Sequence, residues 1–137
     1  MVLEARAAAM TGTWNVDSTD IASVMAAKAS VMAFLRARGP EGAPYEDCAL
    51  ALAELLSNAV RHAHPGPIVV SLDWTSSRPV LAVTNEGAAF AMCLEKPPFD
   101  RESGRGLYIL AHVLETPIVE SEEGRCRVSL SLPVTKV

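Results

Sequence analysis

No apolar run in this 137-residue chain reaches the length of a membrane span; the longest Ala- and Met-rich stretch is broken by Lys28 and Arg36. The first residues carry Glu4 and Arg6 and form no apolar signal core. The sequence is therefore expected to belong to a cytoplasmic protein with no secretory signal and no membrane partner. A basic excess is missing too. The formal charge is −4 and the pI about 5.3, which argues against general nucleic-acid binding and leaves room only for a local basic patch. Cysteine is scarce: Cys48, Cys93 and Cys126 are odd in number, and no two stand at metal-ligand spacing. They read as reduced thiols rather than as redox or metal groups. There is no internal repeat and no low-complexity tract beyond the alanines.

What is present is enough apolar residue, 50% of the chain, to build one full core. Residues 1–11 read as a mobile leader and 12–137 as one domain. Trp14 and Val16 alternate in a short strand at 12–16, and Asp17, Ser18 or Thr19 offers a helix cap. From Ile21 to Arg38 apolar residues recur at helical spacing, with Ile21, Val24, Met25, Ala29, Met32 and Leu35 as the expected buried stripe. Gly39-Pro40 ends that helix. A second helix is expected at 45–63, burying Ala49, Leu52, Leu56, Ala59 and Ala63. His64-Pro65-Gly66-Pro67 stops it. Strands at 68–74 and 80–84 around the turn 76–79 form a hairpin. Residues 85–103 have little periodicity and read as a long loop, functional or mobile. A third helix at 104–114 follows, burying Leu107, Leu110, Ala111 and Leu114. Strands 117–120 and 125–132 around the turn 121–124 complete the chain. The fold expected is α/β, a two-layer sandwich with three helices on one face of a mixed, mostly antiparallel sheet.

Two stretches carry chemistry. In Glu54-Leu-Leu-Ser-Asn58-Ala-Val-Arg-His62, Glu54, Asn58 and His62 are four apart and share one helical face, offset from the apolar stripe. A carboxylate there can act as a general base, and a carboxamide oxygen can complete the oxygen shell of Mg²⁺. A solvated polar stripe would give the same pattern. In Ser103-Gly104-Arg105-Gly106-Leu107, two glycines open a helix, so backbone N–H groups and the helix dipole can meet a phosphate. Glycines needed for positive φ alone would look alike. Asn85-Glu-Gly87, at the end of a strand, could read the exocyclic amine of adenine or be a plain turn. Arg101 and Arg105 suit β- or γ-phosphate oxygens, or are solvated charges.

In order and spacing these stretches resemble the GHKL, or Bergerat-fold, ATPases, and within them the small anti-sigma-factor serine kinases of bacteria. The resemblance covers about residues 12–132. Residues 54–62 are similar to the family's N-box, 85–89 to a degenerate first glycine box, and 104–107 to the second. It implies a histidine-kinase-like ATPase domain that binds ATP with Mg²⁺. Glu54 then corresponds to the catalytic base that activates an acceptor serine, and Asn58 to the Mg²⁺ ligand. Asn85 stands where the family has its adenine-reading aspartate, with Gly87 and Ala89 as the two glycine positions of that box. Gly104, Gly106 and Leu107 fall in the box that closes over the phosphates, and 85–103 in the nucleotide lid. The implied partners are a sigma factor, a STAS-type anti-anti-sigma protein that is phosphorylated on serine, and a second copy of the chain as homodimer. Residues Ile21–Arg38 contain no histidine, so phosphohistidine autokinase activity is not expected.

Two positions depart from the pattern. Asn85 replaces a charged acceptor by a neutral one, a difference on the order of 1 kcal/mol for a bond to adenine N6. Ala89 replaces a glycine and adds a methyl group where the base or lid would pass. ATP is expected to bind more weakly than in members with intact boxes. A non-catalytic partner-binding module of the same fold, and an ATPase part of another signalling assembly, are the alternatives to the kinase.

Overall fold

The computed structural model describes residues 10–62, 67–86, 110 and 114–135. Along them run β1 (Thr11–Asp17), α1 (Ile21–Arg38), α2 (Tyr45–His62), β2 (Pro67–Asp73), β3 (Val80–Glu86), β4 (Ile118–Glu122) and β5 (Arg125–Ser131). The strands make one sheet in the order β1-β2-β3-β5-β4. Every neighbouring pair is antiparallel. The two-layer α/β arrangement is as expected, with no parallel pair among the described strands. The third expected helix falls almost wholly outside the described residues. Its Leu110 is helical and fully buried, and accepts a hydrogen bond from Leu114 N at 2.9 Å. Residues 1–9 of the expected leader also lie outside; Met10 O accepts from Trp74 N at 2.8 Å and Thr11 already belongs to β1.

Strand alternation builds the helix-facing side of the sheet. Ile68, Val70 and Leu72 of β2, Leu81 and Val83 of β3, and Cys126, Val128 and Leu130 of β5 are all buried. The register lines them up in rows across the sheet: Trp14–Val70–Val83–Val128–Val119 is one, Gly12–Leu72–Leu81–Leu130 the next. Each row joins apolar side chains of neighbouring strands, the pairing that stabilises a sheet. α1 packs over β1 and α2 over β3.

The cap of α1 is Asp20, one residue beyond the three expected candidates. Its Oδ1 accepts from Ala22 N at 3.0 Å. Asp17 holds the preceding turn instead, accepting from Thr19 N at 2.9 Å and Thr19 Oγ1 at 2.7 Å. Those two bonds lower the Asp17 pKa. The buried stripe of α1 also differs from expectation. Ala27, Val31 and Leu35 are buried, Val24 and Met32 only partly, while Ile21 is 82% and Met25 59% exposed and Ala29 is exposed. Only Lys28, Arg36 and Arg38 are charged in this helix, so apolar residues occur on every side and periodicity singles out no face. The approach of β1 and α2 decides it.

The last hairpin is tighter than expected. Glu122 pairs with Arg125, so the turn is Glu123-Gly124 alone, with φ of 50° and 77°. Positive φ at both central positions is what a type I′ hairpin turn requires.

Candidate functional site

α2 opens with Glu46 and Asp47 in its first turn, charges that suit a helix N-terminus. It buries Cys48, Ala51, Leu52, Leu55, Leu56 and Ala59. Of the expected stripe, Leu52, Leu56 and Ala59 are inside, Ala49 is half-buried, and Ala63 lies outside the described residues. Glu54 is half-buried at the edge of this arc. Asn58, one turn on, is 2% exposed. The offset between polar face and apolar stripe therefore holds for Glu54 and ends at Asn58, which is inside the protein rather than on a solvated stripe. Its Nδ2 has no hydrogen-bond partner among the described residues.

β3 supplies a second buried amide. Residues 85–103 read as a loop for their lack of periodicity, with Asn85-Glu86-Gly87 ending the strand before it. Asn85 is paired on both sides, opposite Ile68 of β2 and Cys126 of β5, and the β5 ladder alone carries β3 on to Glu86, opposite Arg125. Leu81, Val83 and Asn85 alternate on one face, so the amide occupies a core row between two fully buried apolar neighbours. Asn85 Nδ2 donates to Glu86 O at 3.0 Å. The carbonyl can face only a donor, so this bond fixes the amide with Oδ1 at its open end. Oδ1 is buried and has no partner among the described residues.

A buried amide atom left unpaired costs about 1–3 kcal/mol. In folded proteins such groups are nearly always satisfied. Here one stands on α2 and one on β3, the element that α2 covers. The open end of Asn85 is an acceptor, suited to an exocyclic amine. The Asn58 amide has an oxygen as well as the orphaned nitrogen and, turned about χ2, can offer it to a cation. Among the described residues no group of three His, Cys, Asp or Glu could hold a metal alone. Mg²⁺ bound together with phosphates needs only one or two protein ligands, and Asn58 fits that demand.

Gly87, Ala89, Arg101, Gly104, Arg105, Gly106 and Leu107 lie outside the described residues, as do Cys93, His64 and His112. Cys48 and Cys126 are free and buried. Burial first, and then the Asp47 carboxylate, push the Cys48 thiol up to about 11, so it stays protonated and unreactive near neutral pH. Among the described residues no helix is long and apolar enough to cross a membrane.

The sequence reading placed Asn85 correctly at the end of a strand but missed that the residue is itself paired on both sides and buried in a core row. The signal was available in the i, i+2, i+4 alternation Leu81-Val83-Asn85.

The fold and these positions have relatives. Residues 18–132 match the histidine kinase-like ATPase domain family. No curated protein matches the sequence. Among solved structures, the chain is similar to one of the RsbU and RsbW domains of Rv1364c from Mycobacterium tuberculosis, with a TM-score of 0.61 and 16% identity. The match covers 93% of this chain and 33% of that one, so this chain spans about a third of that protein's length. At that identity the likeness is one of fold. The family match takes in most of the chain, including Glu54 and both orphaned amides, and on that ground the chain belongs to the histidine kinase-like ATPase domain family.

Proposed function

We propose that this domain binds ATP with Mg²⁺ between α2 and β3 and transfers the γ-phosphoryl group to a serine of a STAS-type partner protein, holding a sigma factor when that partner is absent. The observation that carries the nucleotide half is the pair of buried amides on two packed elements, each with one atom unpartnered among the described residues. A ligand with a donor at one end satisfies Asn85 Oδ1 as it stands, and a cation-bearing phosphate chain at the other end suits Asn58 once its amide is turned so that the oxygen takes the place of the unpaired nitrogen. Asn85 Oδ1 would accept from the adenine amine, and Asn58 would hold the Mg²⁺ that accompanies the phosphates. When bound, Mg²⁺ supplies neutralisation of the phosphate charge. Glu54, on the same helical face one turn before Asn58, takes the proton of the attacking serine hydroxyl. The serine Oγ–P bond forms, the bond to the bridging oxygen of the β-phosphate breaks, ADP leaves, and the proton ends on the Glu54 carboxylate. Such transfer is mainly positioning and electrostatics, which a rigid helix face can provide. The partner half of the reading rests on the resemblance to anti-sigma serine kinases and on the fold likeness to a chain with RsbU and RsbW domains.

One observation favours a second reading, a partner-binding module with little nucleotide affinity: the base acceptor is the neutral Asn85, not a carboxylate. Calorimetric titration of Mg·ATP into the wild type and Asn58→Ala separates the two. Micromolar binding that the variant loses supports the nucleotide site, and phosphate transfer to a serine of a STAS domain then completes the kinase assignment. No heat up to millimolar ATP leaves the second reading.

A further inference from the structure

The apolar residues that α1 does not bury are not scattered. Ile21 and Val24 of α1 and Leu56 and Val60 of α2 line a groove between the two helices with a volume of about 380 Å³. Leu56 is its fully buried floor. Ile21 (82% exposed) and Val60 (38% exposed) are walls facing solvent, and Met25, 59% exposed, continues the apolar surface along α1. Isolated exposed apolar residues are ordinary; a contiguous lined groove marks a binding surface. Lys28 and Arg61 also line it. Neither has an ion-pair or hydrogen-bond partner among the described residues. The nearby carboxylates are engaged otherwise, Asp17 with Thr19 and Asp20 with Ala22 N.

We infer that this groove receives an amphipathic helix of a partner protein, with apolar anchors between Ile21 and Val60 and carboxylates meeting Lys28 and Arg61. The assignment rests on the partner-binding half of the function above and names the surface and its chemistry. A groove between two helices is the shape that an apolar helix face fills, and two cations on its rim, unpaired among the described residues, select acidic flanks. A second copy fits less well. A two-fold contact centred here sets groove against groove and each copy's cations against the other's. The position also suits the chemistry: Arg61 follows Glu54 by seven residues, two helical turns, so it lies on the same side of α2 at a rise of about 10 Å. A partner held there is beside the carboxylate that takes the serine proton.

The test uses two synthetic amphipathic helices of about four turns, with Leu at i, i+3, i+4 and i+7 flanked by Glu in one and by Lys in its twin. Binding to the full chain is read by fluorescence anisotropy. The Glu peptide binds saturably and the Lys peptide does not. The double variant Lys28→Glu/Arg61→Glu weakens the Glu peptide about tenfold and reverses the preference toward the Lys peptide. Val60→Asp abolishes binding of the Glu peptide. An unchanged thermal midpoint confirms that these surface variants fold. Equal binding of both peptides, no saturable binding, indifference to the charge reversal, or a sedimenting dimer that Val60→Asp splits would each overturn the proposal. Mg·ATP calorimetry on the same proteins keeps the readings apart. Charge-selective peptide binding without ATP binding refutes only the nucleotide site, and ATP binding without charge-selective peptide binding refutes only the groove.

Discussion

At the scale of single residues, the site is defined by what two amides lack. Asn58 Nδ2 and Asn85 Oδ1 are buried without partners among the described residues, in a core otherwise built of apolar side chains. Replacing the amide ends by methyl groups removes the unmet demand, so Asn58→Leu is expected to raise stability by about 1–2 kcal/mol and Asn85→Leu by less, since Glu86 O loses its donor, while each abolishes Mg·ATP binding. Urea midpoints and calorimetry on the same preparations check the pair of effects. A loss of stability in both variants would mean that the amides are satisfied in solution without nucleotide. Cys48 gives a pH prediction. Its thiol titrates at about 11 in the folded chain against an ordinary 9.0. The folded state keeps the proton longer, so the associated stability is complete below pH 9 and is lost as pH rises through 11. Urea unfolding of wild type and Cys48→Ala across that window should show the wild type declining more steeply, and the native thiol should resist modification at neutral pH.

At the scale of elements, α1 depends on one cap. Asp20→Ala is expected to cost about 1 kcal/mol, because Ala22 N loses its acceptor. Asp17→Ala should cost less, since its bonds to Thr19 hold a turn and cap no helix; thermal midpoints rank the two. The contrast also shows what sequence can and cannot fix. β2 and β5 were legible because alternation has a period of two and one face is buried. The spacing of Glu54 and Asn58 was legible because a helix puts i and i+4 together whatever the tertiary context. The buried face of α1 was not, since a helix apolar on all sides is oriented only by its neighbours, and neighbours are a property of the fold. The end of β3 was misread for a related reason: Asn85 and Glu86 are poor strand formers taken singly, and two flanking strands outweigh that preference. The burial of Asn58 was hidden likewise, because spacing gives a face and not its cover.

At the scale of the whole molecule, a guanidinium ties distant segments together. Arg78 donates from Nε to Leu132 O at 2.9 Å and from an Nη to Ser131 O at 3.2 Å, and lies 3.4 Å from Glu115. Glu115 in turn accepts from Ser131 N at 3.1 Å. The β2–β3 turn is thereby fastened to the end of β5, more than fifty residues away. Arg78→Ala is expected to cost about 1–2 kcal/mol through the carbonyls it leaves unmet, and Arg78→Lys to restore only part of that. Denaturant unfolding of the two variants measures the difference. The sheet order has a consequence of its own. One margin of the sheet is β1, whose outer side pairs with nothing among the described residues and whose only charged residue is Asp17. The other margin, β4, carries Glu120, a charge that discourages an incoming strand. Joining unlike margins would string molecules into an endless ribbon, whereas joining like margins closes after two. With only one inviting margin, any lateral extension of this sheet stops at ten strands, two sets of five.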